Sequence, residues 1–275
     1  MKNVHAFTHK ADLYALYQSL IQTMQQPPPA GSRPLVMNGF AVGWAIPSAI
    51  KVLEALPSTT ITDNAVQLHL LSEPSETVNQ GLATVANALR AAGCIGEWRD
   101  ELIEVWAAQH CIGAIERAAV RPLGLLTSAV HLNAWSKDGR LWIARRADHK
   151  PTNPGLWDTL VGGLVAADEG LELGLLRESE EEAGLSPTAL AEREPLRHCA
   201  RLHMQLPEGY QVEDLWASDC VLDDRLTPRN QDGEVADIRL ACLDEVMALI
   251  QDQRFTKEAQ LIILDSLRRR RPPKN

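Results

Sequence analysis

Arg177, Glu178, Glu181 and Glu182 fall within the run Arg177-Glu178-Ser179-Glu180-Glu181-Glu182-Ala183-Gly184-Leu185. A helix over 170–183 turns about 100° per residue, which gathers Glu178, Glu181 and Glu182 within roughly 100° on one face. Carboxylates so placed repel one another at neutral pH. A divalent cation reverses that sign, and hard oxygen donors suit Mg²⁺ or Mn²⁺, which keep waters and bridge to phosphate oxygens. The chemistry this points to is metal-assisted work on a phosphorylated small molecule. Glu169, near the helix start, suits the positive end of the dipole and lies in reach of Arg177. Gly162-Gly163 opens loop conformations closed to other residues and lets backbone approach a ligand, and Gly184 stops the helix. A solvated acidic helix would explain the charge, but not the glycines and Arg177 at their offsets.

The elements that must position these groups read as two units. At 275 residues with 45% apolar content, the chain is long enough for two compact cores. Apolar spacing over 11–25 predicts a helix, ended by Pro27-Pro28-Pro29; Asn38-Gly39 predicts a hairpin turn between two short strands. Ser75 is placed to cap a helix running to Ala92, with Gly93 as its stop. Residues 1–124 are therefore expected to form a small α+β unit, and residues 125–275 a second one. In the second, strands are expected at 127–135, 140–147, 196–206, 210–222 and 234–242, with the acidic helix between them and helices at 244–250 and 256–270.

Composition narrows the function classes. Five cysteines without a CxxC spacing indicate neither a disulfide framework nor a zinc site, and suggest a reducing cytoplasmic setting. The first residues lack an apolar stretch and no run approaches the ~18 residues of a spanning helix, so no membrane partner is expected. A net charge of −9 argues against a nucleic-acid groove; Arg268–Arg271 reads as a helix end.

The spacing Gly-x5-Glu-x7-Arg-Glu-x-x-Glu-Glu-x-Gly-Leu resembles the Nudix box, the signature of the Nudix hydrolase superfamily. Ser179 departs from it, standing where an apolar residue is usual; its hydroxyl can bond the carbonyl four residues earlier. The resemblance implies an α/β/α sandwich with a mixed sheet, and Mg²⁺- or Mn²⁺-dependent hydrolysis of a small-molecule diphosphate. It implies Glu178, Glu181 and Glu182 as metal ligands and catalytic residues, with Arg177 and Glu169 orienting them.

The segments Val130-His131-Leu132-Asn133, Leu141–Arg146, Lys150-Pro151-Thr152, Pro154–Asp158 and Val161-Gly162-Gly163 are similar to a Nudix subgroup related to thiamin pyrophosphokinases. Trp98-Arg99-Asp100-Glu101 and Glu116-Arg117-Ala118-Ala119 resemble the N-terminal domain accompanying it. The subgroup implies hydrolysis of thiamine diphosphate or its damaged or toxic analogues, such as oxo- and oxythiamine diphosphate, to the monophosphates; an ADP-ribose-like substrate is the alternative. Substrate-binding residues implied are Arg145, Arg146, Asp158, Gly162 and Gly163, although strand alternation sends one of the two arginines outward. Glu234, ahead of Glu213, is the acid outside the box expected as a further ligand or base. Core packing is the default for the tryptophans, although one could stack on the substrate ring. An isopentenyl diphosphate isomerase would need a cysteine in the strand before the box, which 157–161 lacks. A ligand-sensing regulator would tend to lose box acids, and all are present. The N-terminal unit could complete the pocket, form a homodimer interface or be a remnant.

Overall fold

A computed structural model describes residues 10–70 and 77–270. The second unit is built on a seven-stranded mixed sheet. Its strands are β7 (Leu126–Trp135), β8 (Leu141–Arg146), β9 (Trp157–Thr159), β10 (Val161–Leu164), β11 (Arg197–Leu206), β12 (Gly209–Val221) and β13 (Val235–Ala241). The order runs β11-β12-β7-β8-β13, with β10 also on β7 and β9 also on β8; β12 and β7 are parallel, the other pairs antiparallel. Helix α5 (Leu171–Ala183) covers one face through Leu175, Ala183 and Leu185 against Val130, Leu132 and Val161. On the other face α6 (Leu243–Gln251) and α7 (Lys257–Arg269) bury Val246, Ile250, Ile262 and Ile263 against Leu141, Ile143 and Leu215. Each layer exists because a sheet with apolar residues on both faces must cover both. This is the expected α/β/α sandwich.

The preceding α+β unit has its own core. A four-stranded sheet, order β2-β1-β4-β3, is formed by β1 (Arg33–Met37), β2 (Phe40–Ala45), β3 (Thr59–Ile61) and β4 (Val66–Leu68). It packs with α2 (Pro47–Leu53) and α3 (Val78–Ala91) around Leu35, Leu53, Leu82 and Leu89. The Asn38-Gly39 turn takes the expected positive φ at both residues. Ser75 lies outside the described residues; α3 is capped by Thr77, which exchanges bonds with Gln80 in a capping box. Gly93, at φ 67°, ends it. The hairpin β5 (Leu102–Ala107) and β6 (His110–Glu116), unassigned from sequence, then leads through a 3₁₀ turn (Arg117–Ala119) into the short α4 (Val120–Leu123).

Helix α1 (Lys10–Thr23) departs from the expected grouping. It lies on α7 rather than on the N-terminal sheet, with Tyr17 and Met24 in the core of the second unit. Tyr17 Oη donates to Cys199 O at 3.0 Å, and residues 24–26 bond along β11 at His203. Amphipathic spacing gives a helix its buried stripe, but not the surface that covers it. All five cysteines are free. Met24 is fully buried, so Met24→Ala is expected to destabilise the sandwich by about 2–5 kcal/mol. Thermal unfolding of the full chain checks this; an unchanged midpoint would separate α1 from that core.

Candidate active site

Helix α5 is held in one rotation by its apolar side and its ends. Gly184, at φ 63°, terminates it, and Gly184 and Leu185 donate back to Glu180 O and Ser179 O, each at 3.0 Å. Ser179 is fully buried and its hydroxyl donates to Leu175 O at 2.6 Å, as its spacing predicts. With Leu175, Ser179 and Ala183 against the sheet, Glu178 and Glu182 are carried to the edge of that packed face. Both line an open cleft with a cavity volume of about 180 Å³.

Arg177 organises the acids. Its guanidinium donates to Glu169 Oε1 at 2.6 Å and Oε2 at 3.0 Å, to Glu178 Oε1 at 2.8 Å, to Glu181 Oε2 at 3.0 Å and to Leu164 O at 3.2 Å. Burial would raise the Glu169 carboxyl, but the Arg177 bonds outweigh it and hold that group below its usual range. Glu182 instead accepts from the Gly162 amide at 2.9 Å. Burial pushes Glu178 up to about 7 despite Arg177. Glu182 is raised well above its ordinary value by burial and then by the Glu178 charge, the Gly162 amide notwithstanding. A carboxyl with a raised folded pKa stabilises the metal-free chain in its protonated form. For Glu178 that contribution is full below the ordinary 4.5 and is lost as pH rises through about 7.

The glycines act by absence of bulk. Neither Gly162 nor Gly163 has positive φ; they sit in β10 rather than in a special loop. A Cβ on Gly163 would stand 2.1 Å from the Glu178 carboxyl, and one on Gly162 would stand 2.9 Å from His131 Nδ1. The strand therefore leaves these side chains room that any Cβ there would take.

Two expectations need correction. Glu181 does not join Glu178 and Glu182 in the cleft: it is nearly half exposed on the Arg177 side, and among the described residues no three potential ligands converge as a metal set. Arg177 draws Glu178 and Glu181 its own way while Gly162 draws Glu182. Arg145 is turned away from the cleft, as strand alternation requires of one arginine, and pairs with Asp148. The tryptophans keep to their default: among the described residues none lines the cleft, and Trp157 packs in the core beneath Arg239.

The other expected residues are brought together. Arg146 lines the cleft, bonded to Thr152 O and near Asp158. Glu234 lines it too, paired with Lys150. Burial raises the Glu234 carboxyl, but Lys150 outweighs that and lowers it below the usual range. Glu213 is buried and immobilised by Arg121 Nη2 at 2.8 Å, Thr127 Oγ1 at 2.8 Å and Gln211 Nε2 at 2.9 Å. Sequence reasoning assigned no role to Arg117, Arg121, His131 or Glu258, which also line the cleft. Arg117 and Arg121 share a helical offset that could have signalled a common face; Glu258, on the first turn of α7, had no such signal.

Two family descriptions match successive parts of the chain. Residues 125–261 match the family described as "NUDIX domain" and residues 17–127 that described as "Domain of unknown function (DUF4743)". Over 74% of its length the chain is 32% identical to "Nudix hydrolase 20, chloroplastic" and 33% identical to "Nudix hydrolase 24, chloroplastic", both of Arabidopsis thaliana. It spans only 56% and 57% of those two relatives. A crystal structure of a Deinococcus radiodurans protein aligns with 61% of the chain and 98% of its own, at 21% identity and TM-score 0.45.

This room yields a specific expectation. Gly163→Ala displaces the Glu178 carboxyl and should weaken Mg²⁺ binding about 10- to 100-fold with the fold retained. Calorimetric titration with Mg²⁺ measures it, and unaltered affinity would show that Glu178 needs no such room.

Proposed function

Residues 125–261 belong to the NUDIX domain family, and from that premise we propose that this protein is a Mg²⁺- or Mn²⁺-dependent diphosphate hydrolase. The observation that carries the reading is a two-signed cleft. Buried Glu182 and mostly buried Glu178 stand in it together with Asp158, Glu213 and Glu234, and with Arg117, Arg121, Arg146 and Lys150. Carboxylates raised by burial and mutual repulsion are hard oxygen donors whose ionised forms want a cation, so the residues present fit Mg²⁺. Glu178 and Glu182 would hold it, with Arg177 and Glu169 fixing the helix-side geometry. Such an ion, when bound, neutralises diphosphate charge and lowers the pKa of water.

The chain's own groups supply the rest. Water oxygen attacks phosphorus, the bridging P–O bond breaks, and a monophosphate ester and inorganic phosphate result. Glu234 accepts the proton from that water: it lies in the cleft, half-exposed and ionised through its pairing with Lys150. Glu213 is less suited, because its oxygens are already engaged by three donors. Arg146 and Lys150 place positive charge where a phosphate would lie.

For the substrate we favour thiamine diphosphate or its damaged analogues. The support is that His131, Lys150, Thr152, Asp158, Gly162 and Gly163, scattered through the subgroup-like segments, converge on one cleft. Purified protein with Mg²⁺ should release phosphate from thiamine, oxothiamine and oxythiamine diphosphates, and Glu182→Gln should lower kcat about 100-fold or more with circular dichroism unchanged. Turnover of ADP-ribose alone would overturn the thiamine assignment and leave the reaction class; full activity in Glu182→Gln would overturn the site.

A further inference from the structure

We propose that the segment joining the two units is part of the substrate site: Arg117 and Arg121 form an anion clamp that receives the phosphate oxygens of the diphosphate. The proposal rests on the diphosphate reading above and deepens it by giving the N-terminal unit a function. Arg117 and Arg121 are four residues apart across the 3₁₀ turn and α4, and both line the cleft facing the carboxylates of α5.

Arg121 has the stronger claim. Its side chain is 17% exposed, and Nη2 is committed to Glu213 at 2.8 Å. Nη1 is buried with no hydrogen-bond partner. A buried guanidinium nitrogen without an acceptor is costly, and a phosphate oxygen is the acceptor its geometry suits best. The other cleft cations are engaged differently: Lys150 with Glu234, Arg146 with Thr152 and Asp158, and Arg117 with Glu101.

The clamp is fixed from both units. Glu213, itself held by Thr127 and Gln211, sets the angle of Arg121 from the sandwich side. The backbone at Arg121-Pro122 is pressed against Gly209, where a Cβ would stand 2.2 Å from Arg121 O. Pro122 O also accepts from Ile46 of the N-terminal unit at 3.0 Å. Arg117 is anchored within the N-terminal unit. Its amide donates to Glu101 O at 2.8 Å and its guanidinium pairs with the Glu101 carboxylate, while Glu116 accepts from the amides of Arg99 at 2.8 Å and Ala118 at 3.2 Å. The two N-terminal sequence motifs, Trp98–Glu101 and Glu116–Ala119, thus meet to hold one arginine at the mouth of the cleft.

Two readouts test this on the full chain. The first is calorimetric binding of inorganic diphosphate with Mg²⁺, and the second is the split between KM and kcat on whichever diphosphate is turned over. Arg121→Gln should weaken diphosphate binding about 10- to 100-fold and raise KM with kcat little changed, because the contact is made in ground and transition states alike. Arg121→Lys keeps the charge beside Glu213 but loses the fork, and should fall between; it decides the matter if Arg121→Gln fails to fold. Arg225→Gln, a cation paired with Asp223 on an exposed loop outside the cleft lining, should match the wild type. Folded Arg121 variants with wild-type affinity and KM would overturn the clamp while leaving the hydrolase reading intact. Wild-type binding of diphosphate that Arg121→Gln weakens, with no hydrolysis of any substrate, would uphold the clamp and overturn the hydrolase. A wild type that binds no diphosphate overturns the clamp.

Discussion

The rest of the site depends on a charge problem solved around one guanidinium. Glu178, Glu181 and Glu182 stand on adjacent turns of α5, and Glu169 lies just before it. Arg177 reaches Glu169, Glu178, Glu181 and the Leu164 carbonyl together, so it ties the helix to the loop and to β10. That leaves Glu178 mostly buried and Glu182 buried, both raised and without enough positive charge between them. Burial is therefore imposed by the fold, through Leu175, Ser179 and Ala183, and in the proposed reading a divalent cation is their partner.

The cleft has the opposite sign on its far side, and this comes from elsewhere in the chain. Arg146 and Lys150 belong to the end of β8 and the loop after it, while Arg117 and Arg121 belong to the connection from the N-terminal unit. A diphosphate carries charge along its length, so a surface that offers carboxylates for a cation and guanidinium groups for phosphate oxygen fits both ends of that demand. Close backbone packing at Gly43, Gly124 and Gly209 holds the connection tightly, which keeps these arginines pre-positioned.

Local signals were legible in the sequence and distant partnerships were not. The extent of α5, its stop at Gly184 and the back-bond of Ser179 follow from spacing and residue chemistry, as does the Asn38-Gly39 turn. Alternation along β8 predicts that only one of Arg145 and Arg146 enters the cleft, but not which one; it is Arg146. The stretch 157–161, read as one strand before the acidic helix, divides at Leu160 into β9 on β8 and β10 on β7. The helix wheel groups Glu181 with its neighbours, whereas the pull of Arg177 keeps it at the rim. Tertiary closure alone puts α1 on α7 and brings Glu258 to the cleft.

The central claim is that the Glu178 and Glu182 carboxyls are raised above the ordinary carboxylate range and give up protons when a cation takes them. Mg²⁺ titration of the full chain in buffers of different ionisation enthalpy counts the protons released on binding. With Glu178 raised to about 7 and Glu182 raised as well, binding at neutral pH should release protons, and affinity should increase as pH rises from about 6 to 8. No proton release, together with affinity independent of pH over that range, would contradict the account.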